Sequence, residues 1–176
     1  DLVKYDTRAL TYIGSMNGEP YYCFARTAAP VQTLEDVKTK ELIVGATAEG
    51  GTTVDYPAMS NAFLGTKFKV VRGYKGSREV TLAMERGEVQ GACGLAWSTL
   101  SVQYPRLFED KVFTMYAQED MEGHPALTKR GVPVTGKLAT NPDATQALEL
   151  FYSQNVLGRP YVVAGEVPKD RTAALR

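Results

Sequence analysis

Two rhythms of apolar residues alternate through the middle of the chain. ELIVGA (41–46), KFKVV (67–71) and EVQGACG (88–94) are short runs of β-branched or small residues and read as strands. Between them, TTVDYPAMSNAFL (52–64) sets Met59 and Phe63, and Val54, Ala58 and Ala62, at i,i+4 spacing, a helical face. SREVTLAMER (77–86) does the same with Val80, Ala83 and Met84. Ser77 is expected as the N-cap of this helix, and Gly65 and Gly87 as the stops of the two. Pro57 is compatible with the first helix only inside its first turn, where a missing N–H costs little. Helices between short apolar strands imply right-handed βαβ crossovers. The expected fold is three-layer α/β, a mainly parallel sheet with flanking helices.

The flanks are less regular. Residues 10–26 read as extended chain broken at the Asn17-Gly18 turn signal, and Thr33 caps a short helix with Glu35 and Asp36 in its first turn. Trp97-Ser98 opens a helix to about Tyr104, before Pro105, and KVFTMYA (111–117) is a strand. Residues 118–141 read as loop with a short helix at most. DATQALELFYSQNVL (143–157) is an amphipathic helix whose expected inner stripe is Ala147, Leu150, Phe151 and Leu157, ended by Gly158. RPYVVA (159–164) is a strand, and a last helix starts near Pro168.

Composition narrows the function classes. The 176 residues carry 20 Lys+Arg against 20 Asp+Glu, a balance that argues against a nucleic-acid surface. Any anion site must therefore be local. No apolar run approaches the ~18 residues of a membrane span, so no direct membrane insertion is expected. The chain opens DLVKYDTR, without signal-peptide character, which assigns no compartment. One histidine, His124, and two cysteines, Cys23 and Cys93, supply zinc sites and Cys-His catalysis poorly, so no metal, cofactor or catalytic residue is assigned. The simpler reading of the cysteines is two buried thiols on strands; a bridge needs Cα atoms within ~7 Å.

In a parallel sheet all strand C-termini share one edge, and ligands bind in the crevice there. Three loops leave that edge. The first holds Gly50, Gly51, Thr52 and Thr53, the second Arg72, Tyr74, Gly76 and Ser77, and the third Gly94, Trp97 and Ser98. Each combines glycine with a hydroxyl residue at a helix start, where backbone N–H groups favour an anion. Gly-Ser/Thr before a helix is also what ordinary βα connections look like. GxGxxG and Walker spacing are absent, which disfavours a nucleotide and leaves a small carboxylate. Arg72 could fork onto a carboxylate or be solvated; Tyr74 and Trp97 could wall a cleft or fill the core. Glu49, beside the first loop, opposes an anion there.

VGATAEGGTT, LGTKFKVV, GYKGSREVTLAMERGEVQG and GRPYVVAGEVPKDRTAALR together resemble the Bug or TctC-type receptors of tripartite tricarboxylate transporters. That resemblance implies a type II periplasmic-binding-protein lobe, an extracytoplasmic receptor for a small carboxylate, and membrane transporter subunits as partners. It also implies periplasmic localisation, and a ligand-facing role for Gly50–Thr53 and for Tyr74, Gly76 and Ser77. The family commonly carries an Asp near the end of the third strand, where this chain has Gly91-Ala92-Cys93-Gly94. On the family's pattern, 1–26 is a hinge or crossover region and 27–158 the second lobe. Residues 159–176 are then a return strand and truncated helix of a first lobe that is largely missing. The effector domain of a LysR-type regulator and a small enzyme on the same scaffold are the alternative expectations.

Overall fold

The computed structural model describes residues 6–106 and 110–176; the first five residues of the expected hinge region lie outside it. Strands β1 (Leu10–Ser15), β2 (Tyr21–Arg26), β3 (Leu42–Gly45), β4 (Phe68–Val71), β5 (Gly91–Ala96), β6 (Phe113–Glu119) and β7 (Pro160–Ala164) form two sheets. The larger has the order β4-β3-β5-β2-β6, and β1 and β7 pair separately. β3 runs parallel to β4 and β5, while β2 is antiparallel to both β5 and β6. Four strands of the larger sheet therefore point one way. The expected hinge region is divided, because β2 lies inside this sheet and β1 outside it.

The helices are α1 (Leu34–Thr39), α2 (Thr52–Leu64), α3 (Ser77–Arg86), α4 (Trp97–Gln103), α5 (Pro125–Thr128), α6 (Pro142–Leu157) and α7 (Lys169–Ala174). One buried cluster joins α1, α2 and α6 to one sheet face through Leu34, Val37, Tyr56, Met59, Leu148 and Tyr152. A second joins α3, α4 and α5 to the other through Val80, Met84, Leu100 and Leu127. These are the three expected layers. No helix among the described residues is long and apolar enough to cross a membrane.

Local chemistry explains the element ends. Thr33 and Asp36 form a reciprocal capping box at α1. Gly65 and Gly87 end α2 and α3 in the left-handed conformation, as their positions predict.

Three expectations fail for physical reasons. Pro57 sits in the second turn of α2, not the first, between buried Tyr56 and Met59, whose packing outweighs the ~3 kcal/mol that an interior proline costs. Gly76, not Ser77, is the cap of α3, and Glu79 closes the first turn by accepting from the Lys75 N–H at 2.9 Å. The buried face of α6 is Ala144, Leu148, Tyr152 and Asn155, while Leu150 is 73% exposed. Hydrophobicity alone misplaced that face, because Tyr152 and Asn155 go inward to bond buried polar atoms.

Candidate functional site

The parallel strands bring the three loops to one edge, as expected. The backbone stitches the first two together: Gly73 N–H donates to the Thr47 carbonyl and Tyr74 N–H to the Ala46 carbonyl, each at 3.3 Å. The first and third meet at Gly94. β5 advances two residues there while β2 advances one, so Gly94 is a bulge residue, with φ +79°. The start of α2 rests directly on it, and a Cβ at Gly94 would lie 2.2 Å from the Thr52 carbonyl oxygen.

That contact engages the hydroxyls that looked free for a ligand. Thr52 Oγ1 donates to the Gly94 carbonyl at 2.7 Å. Thr53 Oγ1 accepts from Thr47 N at 3.0 Å and shares a hydrogen bond with Thr47 Oγ1 at 2.9 Å. Of the first N–H groups of α2, those of Val54 and Asp55 donate to the Gly51 carbonyl at 2.9 and 3.0 Å, and that of Thr53 lies against Gly94. Gly50 holds the turn before α2 at φ +73°.

The remaining candidates divide. Arg72, which could fork onto a carboxylate or be solvated, pairs with Glu49 at 2.5 Å, and both side chains are exposed. Tyr74 packs half-buried against the cluster holding Val80 and Val89. Gly76 and Ser77 open α3 beside it. Trp97 lies edge-on to Tyr22, with centroids 5.6 Å apart, and borders a small cavity with His124 and Leu127. Its ring is partly buried against the second core cluster. His124 caps α5, its Nδ1 accepting from Ala126 N at 3.2 Å.

Sequence reasoning missed a closed network beside Ser98. Glu19 is only 3% exposed, and its Oε1 accepts from Ser98 N at 3.1 Å. Ser98 Oγ accepts from Arg159 Nη2 at 2.7 Å, and Arg159 Nε lies 3.4 Å from Glu19 Oε2. Oε2 has no hydrogen bond of its own, so its contact with Arg159 is an ion pair at off-line geometry. Glu19 and Arg159 belong to the two segments that join the sheets, β1 to β2 and α6 to β7. These segments touch: a Cβ on Gly158 would lie 2.1 Å from the Asn17 carbonyl oxygen. The GEP and GRP tripeptides were the available signal. Next to this network a cavity of about 420 Å³ is bordered by Glu19, Asp120, Glu122, His124 and Asn155.

Beneath the edge, Cys23 and Cys93 face one another across β2 and β5, with Cα atoms 3.9 Å apart, and form a disulfide. The reading as two separate thiols is corrected by that register, which no periodicity in the sequence reveals. Glu119 Oε1 stands 2.8 and 3.1 Å from the two sulfurs. Bridged sulfurs have no proton to give, and neither is a thiolate that could bind a metal. Glu119 Oε2 accepts from Tyr152 OH, and from Thr135 Oγ1 at 3.2 Å. Burial pushes the Glu119 carboxyl up to about 7, against the lowering effect of Tyr152, Thr135 and Ser60. Burial also raises Tyr152 far above the ordinary phenol range, which keeps it a donor.

No protein-family model matches the chain, and no curated protein matches it. Solved structures do. A TctC solute-binding protein from Polaromonas aligns with TM-score 0.59 and 16% identity, over 99% of this chain and 68% of its own. An R. palustris protein solved with adipate aligns at 0.68 and 18%, over 97% of this chain and 54% of its own. MatC from Rhodopseudomonas palustris, with bound malate, aligns at 0.64 and 14%, over 99% and 56%. The chain thus spans between about half and two thirds of these proteins. At such identities the likeness is one of fold: this chain has the α/β fold of the TctC-type and related periplasmic solute-binding proteins.

Proposed function

We propose that this chain is the carboxylate-binding lobe of an extracytoplasmic solute receptor of the tripartite tricarboxylate type. One observation carries the reading. Three βα loops converge on one sheet edge, with the N-termini of α2 and α3 among them, in a fold whose solved counterparts hold adipate and malate. In this reading the lobe runs from β2 (Tyr21–Arg26) to residue 158, and the residues before β2 together with 159–176 are the passages to a partner lobe that closes over the ligand. Gly50, Gly51, Thr52 and Thr53 approach the ligand through the backbone, Gly76 and Ser77 through the start of α3, and Trp97 as an apolar wall. Transporter subunits would take up the closed form in the periplasm.

Calorimetric titration of the full-length protein with adipate, malate and citrate, and with arginine as a cationic control, tests the proposal. Saturable binding of at least one carboxylate and none of arginine is expected. A folded protein that binds no carboxylate, or prefers arginine, would overturn it.

A further inference from the structure

We propose that the small cavity between α4 and α5 is a binding site for a carboxylate-sized anion, received by the buried hydroxyl of Tyr22. This site is separate from the crevice at the three loops and does not depend on the receptor reading.

Tyr22 is only 1% exposed, and its hydroxyl makes no hydrogen bond among the described residues. A buried hydroxyl without a partner carries a cost that an acceptor on a ligand would remove. The cavity gives that acceptor a place. It measures about 110 Å³ and is bordered by Tyr22, Trp97, His124, Ala126, Leu127 and Arg130. Tyr22 stands on β2, whereas the other five come from α4, from α5 and from residues next to α5. The space therefore lies beyond the Tyr22 ring as seen from the sheet, on the side where the hydroxyl ends.

The side-chain groups around this space are donors. Burial, with Asp120 and Glu19 adding to it, raises the Tyr22 phenol, which keeps its proton at neutral pH. His124 Nδ1 accepts from the Ala126 N–H, which leaves the proton of the neutral ring on Nε2. The Trp97 indole and the Arg130 guanidinium carry N–H groups and no acceptor. Among the described residues, no carboxylate or side-chain amide borders the cavity. Such a set suits an occupant with acceptor oxygens and disfavours a cation. Size narrows the class further. The volume is that of three or four waters at ~30 Å³ each, enough for formate or acetate but not for a dicarboxylate such as adipate. Exposed His124, Ala126 and Arg130 put the space within reach of solvent. Asp120 and Glu19 oppose an anion from nearby, so weak binding is expected.

The test titrates the full-length protein with sodium acetate and sodium formate at constant ionic strength, with methylammonium chloride as the cationic control. Fluorescence of Trp97, assigned by its loss in Trp97→Phe, and the thermal midpoint are followed. The expected result is a saturable fluorescence change with a dissociation constant of about 1–10 mM, and a rise in the midpoint, from the carboxylates alone. Tyr22→Phe removes only an unpartnered hydroxyl, so it should melt no lower than the wild type and bind acetate about tenfold more weakly. Ala126→Leu, which narrows the cavity from its exposed rim, should weaken acetate to a similar degree. No saturable response, or an equal one to methylammonium, overturns the proposal, as does wild-type affinity in either variant. A marked loss of stability in Tyr22→Phe would show that the hydroxyl already has a partner, and overturns it too. Competition between acetate and adipate would place acetate in the crevice and remove the separate site, leaving the receptor reading intact.

Discussion

The five-stranded sheet and the two-stranded one use strands of similar length but hold them differently. In β2, Tyr22, Cys23, Phe24 and Ala25 are all buried, facing helices on both sides. In β1 and β7, Leu10, Tyr12, Tyr161 and Val162 are exposed. A lone antiparallel pair is marginal in water, whereas a sheet covered on both faces carries a core. Folding free energy is therefore concentrated in the larger sheet. The smaller pair contributes position, setting the two connecting segments side by side.

The sharpest test of that division is Gly94→Ala. The substitution adds a left-handed conformation, at about 1–2 kcal/mol, to a backbone overlap with the Thr52 carbonyl. A total loss of about 3–5 kcal/mol is expected in urea unfolding, with the register of α2 against β5 disturbed. A loss under about 1 kcal/mol would mean that the bulge is not rigid and that the larger sheet yields as readily as the smaller.

Second in size is the buried carboxyl. Glu119 has a folded pKa of about 7 against an ordinary 4.5, so between those values the folded state binds the proton more tightly than the unfolded state. Stability is then undiminished below about 4.5, falls as pH rises toward 7, and levels off above it, at a cost on the order of 3 kcal/mol. Glu119→Gln should flatten that slope and be the more stable of the two near pH 8. Parallel slopes for wild type and variant from pH 5 to 8 would show that the carboxyl is not held neutral.

Much of the fold is legible in the chain because β3, α2, β4, α3 and β5 each carry a local signal: a period, a cap or a terminal glycine. The convergence of three loops followed from topology alone. What escaped notice depends on pairings between residues far apart in sequence. Nothing near Cys23 announces Cys93, and only the tripeptides around Glu19 and Arg159 hint that these two belong together. The hydroxyls of Thr52 and Thr53 looked like ligand donors because their internal acceptors, Gly94 and Thr47, are fixed only by the folded register. On α6, a hydrophobic stripe drew attention from Tyr152 and Asn155, whose polar ends bond Glu119 and so set the buried face.

The smallest expected effect lies in the outer pair. Tyr161→Thr and Val162→Thr keep a β-favouring residue and remove apolar surface that is already in water. Each should change unfolding stability by less than about 0.5 kcal/mol, as surface substitutions do. The amides of β1 and β7 should also exchange with solvent at a lower free energy than those of β2 and β5, because few buried contacts hold them closed. A loss near 2 kcal/mol at either position, or equal protection in both sheets, would erase the contrast. The pair would then be a working part of the core, and the contact between Gly158 and Asn17 would be held by the fold as firmly as the bulge at Gly94.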